Sequence, residues 1–215
     1  MLRKLIFAFF ILLITMPVLN AQVVRDRDGN SYHTVKIGNQ VWMSENLRVS
    51  HYRNGDRIQN VTQKEKWESM RSGAWCFYQN SKSNDSIYGK LYNWYAVNDA
   101  RGLCPKGWHI PKESEWQKLS DALGGDSIAG RNMKQAGMWK GAEANTTSNA
   151  FAALPAGSSN CCGFFYLNQF AYFWSADEQD SIQANYRFIG TASPQLRKFS
   201  MNKNYGYSCR CVQDE

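Results

Sequence analysis

Several features that would mark an enzyme or a metal-binding protein are absent from this chain of 215 residues. It has only three histidines and no Cys-x-x-Cys spacing, so the four ligands of a structural zinc site are not gathered locally. No motif selects a pair of carboxylates, and no local signature marks a serine or cysteine nucleophile with a histidine base. These absences favour a non-catalytic protein, and they predict no metal and no cofactor.

Long apolar runs are also scarce, and the clearest one lies at the N-terminus. Arg3 and Lys4 precede an apolar stretch over residues 5–14, and the small residue Ala21 closes the segment. This order is typical of a signal peptide, and the stretch is shorter than the ~20 residues that span a bilayer. We therefore expect export, cleavage after Ala21, and a single mature domain of residues 22–215 with no membrane span.

Runs of like charge are missing from the mature chain. Removing Arg3 and Lys4 from the 25 basic residues leaves 23, against 18 acidic ones. Segments such as RDRDGN and QKEKWESMR mix both signs. A protein that binds nucleic acid usually carries its basic residues in clusters, so no nucleic-acid partner is predicted.

Six cysteines remain after cleavage, and an even number in an exported chain indicates disulfides. Spacing alone does not choose among the pairings. Cys209 and Cys211 lie two apart, so on a strand they face the same side. A bridge between Cys76 and Cys209 is one possibility, and a bridge from Cys161 or Cys162 to Cys209 is another.

Two β-rich runs near the start of the mature chain predict a hairpin. They cover residues 32–37 and 40–43 and are joined by a Gly-Asn pair at 38–39. A two-residue turn with glycine first is typical of type II′. Alternation within the first run places Val35 and Ile37 on the inner face.

The clearest helical pattern follows the WHIP segment. Trp116, Leu119 and Leu123 repeat at i, i+3 and i+7, which makes one apolar face, and Gly124-Gly125 ends the helix. Lys112 occupies the N-cap position, where its side chain cannot accept the amide hydrogen bond that serine or threonine would. We therefore expect a helix with a weak cap.

Two further helices are predicted from shorter patterns. Residues 62–71 begin with Thr62 and Glu65 at the spacing of a capping box, and residues 128–139 form the second candidate. The rest of the chain consists of short strands and many loops, which indicates an α+β domain.

Aromatic residues are abundant, with eight Trp, eleven Tyr and eleven Phe. Most must fill the core, but flat rings also stack on the faces of sugars. The loop-rich region 139–180 contains CCGFFYLNQFAYFW, which has no strict period, so we expect some of its rings to be exposed and to bind a ligand. The candidate ligand-binding residues are Trp139, Phe164, Phe165, Tyr166 and Tyr172.

Six segments, in order, resemble one family of exported bacterial proteins, the Fibrobacter succinogenes major paralogous domain. They are DGNSYHTVKIGNQVWMSENLR, GKLYNWYAV, GLCPKGWHIPKESEW, NAFAALPAG, FAYFWSADE and GYSCRCVQD. The likeness covers about residues 26–214, and the Cys-Pro-x-Gly-Trp-His-x-Pro stretch at 104–111 is its most specific part. The family implies a periplasmic, cell-surface or secreted domain in a bacterium.

The resemblance also implies a C-type lectin-like fold, the fold of the formylglycine-generating enzymes. That fold is a loop-rich α+β domain in which short helices pack on small twisted antiparallel sheets and disulfides staple the chain. A cysteine just before a helix often pairs there with one on the last strand, which implies a Cys104–Cys211 bridge. Cys76 also matches the family, whereas Cys161-Cys162 does not.

Polar side chains near these motifs suit structural roles better than metal binding. Asp177, Glu178 and Asp180 have the oxygen ligands that calcium prefers, but the sugar-binding triplets of C-type lectins are absent. Cys104 and His109 could bind zinc only with two further ligands, so we expect His109 to be a hydrogen-bonded structural residue.

The leading functional expectation is a non-catalytic domain that binds a polysaccharide or a surface protein. One alternative is an enzyme related to the formylglycine-generating group, using Cys209 and Cys211 with copper. The other alternative is a structural subunit of a surface complex.

Overall fold

The computed structural model describes residues 22–141 and 151–215. The predicted signal peptide, residues 1–21, lies outside this part of the chain. Across the two described ranges, no helix combines the length and the apolar character needed to cross a membrane.

The fold consists of short elements joined by many turns. The strands are β1 Val23–Arg25, β2 Ser31–Ile37, β3 Gln40–Met43, β4 Gln59–Asn60, β5 Ala74–Cys76, β6 Leu91–Tyr92, β7 Trp108–His109, β8 Ser158–Asn160, β9 Gly163–Phe165, β10 Phe170–Glu178, β11 Gln183–Gly190, β12 Arg197–Asn202 and β13 Val212–Gln213. The α-helices are α1 Lys64–Ser69, α2 Asp85–Tyr88, α3 Trp94–Val97, α4 Glu113–Ala122 and α5 Ala129–Met133. Single 3-10 turns cover Tyr78–Asn80 and Lys82–Asn84.

The strands form four small sheets. The largest has the order β1-β2-β3-β13-β7, and a second contains β10-β11-β12, with antiparallel pairing throughout both. A third sheet, β4-β5-β6, has one parallel pair, β4 with β5, and β8 and β9 form a separate hairpin. The prediction of short helices on small antiparallel sheets is confirmed.

The first predicted hairpin is present. Val35 pairs with Trp42 across β2 and β3. Gly38 adopts a φ of 59°, the positive value that a turn with glycine first requires. Trp42 and Ile37 are buried, so the inner face of this hairpin packs against the core, as the alternation predicted.

Helix α4 also follows its sequence pattern. Trp116, Leu119 and Leu123 are buried in one hydrophobic cluster, together with Trp42 and Phe173. The Trp42 and Trp116 ring centroids are 4.9 Å apart. The helix therefore packs its apolar face between β3 and β10.

The weak N-cap of α4 is supplemented from elsewhere in the chain. The Lys112 amide donates to Glu115 Oε2 at 2.8 Å, and the Glu113 amide donates to Asp177 Oδ2 at 2.5 Å. Asp177 belongs to β10, so a distant strand supplies the acceptor that Lys112 lacks. Asp177, one of the three carboxylates considered for calcium and expected to be structural, is thus a helix cap.

The Pro-x-Gly-Trp-His segment is a structural clasp. His109 lies between two carboxylates, with Nε2 2.8 Å from Glu115 Oε1 and Nδ1 2.6 Å from Asp214 Oδ1. These contacts join β7 to α4 and to the C-terminus. The prediction that His109 is a hydrogen-bonded structural residue is confirmed.

The Cys104–Cys211 disulfide is present, with the two Cα atoms 6.1 Å apart. It links the segment before α4 to the residue before β13 across a sequence separation of 107. Cys209 and Cys211 pack in the same hydrophobic cluster, as expected for residues two apart on an extended chain.

The other predicted bridges are wrong. Cys76, Cys161, Cys162 and Cys209 are free thiols. Cys76 and Cys209 are both buried, but they belong to different hydrophobic clusters, one around β5 and one at the centre. Burial raises the pKa of the Cys76 thiol to about 12 and also raises the pKa of the Cys209 thiol.

Two helix predictions need correction. Helix α1 begins only at Lys64, with Gln63 at the N-cap and no side-chain cap, so the predicted Thr62–Glu65 capping box is wrong. Helix α5 ends at Met133, well short of 139. At this point the Met133 carbonyl accepts a hydrogen bond from the Ala153 amide, at 2.7 Å, in place of one within the helix.

Removing the Cys104–Cys211 disulfide should lower the free energy of unfolding. In the chain-entropy account, a loop of this length contributes roughly 4–5 kcal/mol. We expect the Cys104→Ser/Cys211→Ser double variant to unfold at a much lower urea concentration than the parent. Adding reductant should shift the parent's midpoint towards the variant's and leave the variant unchanged; equal midpoints for oxidised parent and variant would contradict this role.

The Asp177 cap gives a second prediction. Asp177→Ala removes the acceptor for the Glu113 amide and should destabilise the protein by about 1 kcal/mol. Asp177→Asn keeps an acceptor oxygen and should lose clearly less. Chemical unfolding of the three proteins measures the difference, and equal losses in both variants would show that the hydrogen bond is not the cause.

Candidate functional site

One face of the β10-β11-β12 sheet carries a continuous set of aromatic rings. In the antiparallel register Tyr172 pairs with Phe188, and Tyr186 pairs with Phe199. Directly paired residues point to the same face of a sheet, and so do residues two apart on one strand. We name this set the aromatic platform; its members are Tyr166, Phe170, Tyr172, Tyr186, Phe188 and Phe199.

The rings of the platform are in mutual contact. The Tyr166 centroid is 4.8 Å from that of Phe170, which is 5.2 Å from that of Phe188. Phe188 in turn is 6.3 Å from Phe199. Such spacings are typical of edge-to-face and offset aromatic pairs, which hold each other in place. The platform is therefore one connected surface.

Exposure rises from the base of the platform to its edge. Tyr172 and Tyr186 are 8% and 7% exposed, whereas Tyr166 and Phe199 are 49% and 46% exposed. Phe170 and Phe188 are half-buried between them. A surface of this kind, with large rings open to water, marks a binding face more often than a scattered apolar residue does.

The base of the platform is fixed by the C-terminal segment. The Tyr207 ring stacks on Tyr172 with a centroid distance of 4.8 Å and an interplanar angle of 8°. Burial raises the pKa of both phenols, so they remain neutral hydroxyls. Tyr172 and Tyr207 therefore form a buried, closely packed floor beneath the outer rings.

The exposed edge depends on an unusual backbone. Tyr166 and Asn168 have φ values of 66° and 62° in a turn before β10. The Tyr166 carbonyl accepts the amides of Gln169 and Phe170, both at 3.1 Å. Non-glycine residues in this region are strained, and such strain persists where the surroundings impose it. The turn holds the Tyr166 ring against Phe170.

A polar residue borders the rings. Arg197 pairs with Phe188 across β11 and β12 and is exposed. Its Nε donates to Gln195 Oε1 at 2.6 Å. The platform thus combines an apolar surface with hydrogen-bonding groups at its rim.

The five sequence candidates occupy different environments. Tyr166 is an exposed member of the platform, and the half-buried Phe165 lies beside it with ring centroids 6.0 Å apart. Phe164 is half-buried and packs on Tyr78, at 5.4 Å. Tyr172 belongs to the platform but forms its buried floor, so its predicted exposure is wrong.

The predicted exposure of Trp139 is also wrong. The indole is 7% exposed, and its Nε1 donates to the Ala153 carbonyl at 3.1 Å. The Lys134 ammonium lies 5.1 Å from the ring centroid. Trp139 therefore completes the cluster below α4 and is not available to a ligand.

Four of the six platform residues were not among the sequence candidates: Phe170, Tyr186, Phe188 and Phe199. Tyr186 and Phe188 alternate with Arg187 and Ile189 in β11, and Phe199 stands in the middle of β12. The period-two spacing was a usable signal for one shared face. The pairing of β11 with β12, which brings Phe199 beside Tyr186, was not visible in either segment alone.

The remaining acidic residues of the predicted loop have local partners. Glu178 Oε2 is 2.8 Å from Lys203 Nζ. Asp180 Oδ1 accepts the amides of Ile182 and Gln183, and these hydrogen bonds lower the pKa of its carboxyl. In the described ranges, no three His, Cys, Asp or Glu side chains converge in a way that could hold a metal ion.

The cysteines proposed for copper chemistry are placed differently from a reactive pair. Cys211 is in the disulfide with Cys104, and the Cys209 thiol is fully buried. Thiolate is the form that binds a metal, and burial raises the pKa of Cys209, which disfavours it. These two sulfurs do not form an accessible site.

The chain matches a known family model. The family model of the Fibrobacter succinogenes major domain covers residues 35–213, which includes the clasp, α4, the platform strands and β13. Neither the curated proteins nor the solved structures provide a match. The match spans most of the sequence and agrees with the resemblance carried by the Cys-Pro-x-Gly-Trp-His-x-Pro stretch. The chain belongs to the Fibrobacter succinogenes major domain family.

Proposed function

We propose that this protein is an exported, non-catalytic domain that binds a polysaccharide through the aromatic platform. The observation that carries the proposal is the connected row of rings from Tyr166 to Phe199, open to water at both of those residues. The faces of sugar rings carry C–H groups that pack on aromatic rings, while their hydroxyls remain hydrated or bind polar neighbours.

The shape of the platform favours a polymer over a small molecule. Small ligands are usually held in concave pockets that bury most of their surface. The platform is instead one face of a three-stranded sheet, on which successive rings stand about 5–6 Å apart. Several sugar units of one chain can contact several rings at once, so weak individual contacts add along the polymer.

Export and a C-type lectin-like fold form part of the same proposal. The N-terminal signal pattern supports export. Short helices, small antiparallel sheets and a disulfide that links the segment before α4 to the residue before the last strand support the fold. Binding would then occur at a sheet face, without the calcium-binding triplets of sugar-binding lectins.

Two alternative functions are distinguishable. The burial of Cys209 and the bridge between Cys211 and Cys104 do not support the first alternative, an enzyme that uses Cys209 and Cys211. A structural subunit of a surface complex could cover the same platform with a protein. Binding of purified polysaccharide to the platform in the absence of any protein would support polysaccharide binding over the role of a structural subunit.

Truncating the platform should weaken polysaccharide binding. We expect Tyr166→Ala and Phe199→Ala each to weaken it about three- to tenfold, since one aromatic contact contributes roughly 0.5–1.5 kcal/mol. Affinity electrophoresis in gels containing individual bacterial and plant polysaccharides identifies a ligand, and calorimetry then gives the dissociation constants.

The matched control is Val23→Ala. Val23 is 48% exposed on β1, which belongs to a different sheet from the platform strands, and its truncation should leave binding unchanged. Binding that is unaffected by both platform variants, or equally reduced by Val23→Ala, would contradict the proposal. Retention by no polysaccharide in a broad panel would do the same.

Trp139→Ala should behave in the opposite way to Tyr166→Ala. Truncating a buried tryptophan costs about 3–5 kcal/mol of unfolding free energy, whereas an exposed ring costs roughly 0.5 kcal/mol or less. Thermal unfolding followed by circular dichroism measures both. A Trp139→Ala protein of parental stability would show that the indole is not part of the core.

A further inference from the structure

The hairpin of β8 and β9 carries two thiols in its turn. Asn160 pairs with Gly163, so Cys161 and Cys162 are the two residues of the connection. Their Sγ atoms lie 3.2 Å apart. Cys161 is half-buried and Cys162 is exposed.

These sulfurs differ from the other two free thiols. Cys76 and Cys209 are 2% and 0% exposed, and Cys76 Sγ is 3.4 Å from Ser159 Oγ. Solvent and reagents therefore meet the turn thiols first, because thiol reactivity requires access as well as ionisation.

The surroundings assign different roles to the two turn thiols. The hydrogen bond with Cys162 is the main reason that the pKa of Cys161 is raised, with Glu68 adding to the shift. The Lys64 ammonium donates to the Cys162 carbonyl at 3.3 Å, so a positive charge borders the turn. Cys162, the more exposed sulfur, is the one placed to attack an incoming disulfide.

We propose that Cys161 and Cys162 are a modification site that closes reversibly to a vicinal disulfide by exchange with an external disulfide. The Cys162 thiolate attacks one sulfur of that disulfide, forms a mixed disulfide and releases the first thiol. The Cys161 sulfur then attacks Cys162 Sγ and releases the second thiol. The protein loses two electrons and two protons, and the external disulfide gains both as two thiols.

The adjacency of the residues makes this bridge reducible. Neighbouring Cα atoms are about 3.8 Å apart, below the roughly 4.4–6.8 Å usual for bridged cysteines. Strained and exposed disulfides are the labile ones. Cys104–Cys211, with buried cysteines and a Cα separation of 6.1 Å, should resist the same reductant.

The site adjoins the ring surface without depending on its function. Strand β9 runs directly from Cys162 to Phe165, whose ring lies beside Tyr166. Ring closure would constrain the turn that begins this strand. The inference about the thiols stands or falls separately from polysaccharide binding.

The test starts from full-length protein in which Cys161 and Cys162 are reduced and Cys104–Cys211 is intact. This protein is treated with oxidised glutathione, and its peptides are then mapped without reduction. We expect the peptide with Cys161 and Cys162 to lose two hydrogen masses while the protein remains monomeric. Mild reduction should restore it and leave Cys104–Cys211 intact. Before oxidation, phenylarsine oxide should bind one equivalent, because trivalent arsenic bridges two neighbouring thiolates.

Single substitutions distinguish ring closure from other thiol chemistry. In Cys161→Ser the remaining Cys162 should stop at a stable glutathione adduct, and arsenic binding should be lost. Cys76→Ser is the control and should behave as the parent does. A persistent adduct in the parent, a covalent dimer through Cys162, or a link from either turn cysteine to Cys209 would overturn the proposal.

Discussion

The structure depends on burying the C-terminal segment, residues 206–213, between elements from the whole described chain. Tyr207 exchanges two backbone hydrogen bonds with Tyr92 in β6. Ser208 donates to Tyr172 and accepts from Trp174, both in β10. The segment ends as β13, paired with β3 on one side and β7 on the other. Sheets that share no direct strand pairing are therefore joined through one short stretch, and its disulfide to Cys104 restricts how far the unfolded chain can expand.

A buried cation within this segment packs against the hydrophobic cluster that contains α4. Arg210 is fully buried, its Nε donates to Asn46 Oδ1 at 3.0 Å, and its terminal nitrogens donate to the Phe151 and Ala152 carbonyls. Its guanidinium lies 4.3 Å from the Phe151 ring centroid. Burial lowers the pKa of this group because the charged form loses water. Hydrogen bonds and ring faces compensate for that loss, so the surrounding backbone must hold one arrangement.

The sequence was most informative where a pattern was local. The alternation of β2 and the apolar face of α4 could both be predicted from neighbouring residues. What escaped prediction required distant partners. The carboxylate that caps α4 belongs to Asp177, and the indole of Trp139 donates a hydrogen bond to the Ala153 carbonyl. The Cys104–Cys211 pairing came from the family resemblance, since spacing alone left the cysteines open.

The platform escaped prediction for the same reason, because it depends on contacts between residues distant in sequence. Its rings come from different segments of the chain, and only the strand register places Phe199 beside Tyr186 and Phe188. The floor of that surface includes Tyr172, and the buried C-terminal segment holds Tyr207 against it. Fixing this segment through Cys211 and Arg210 thus also fixes the base on which the outer rings rest. The scaffold and the proposed binding face are therefore consequences of one packing arrangement.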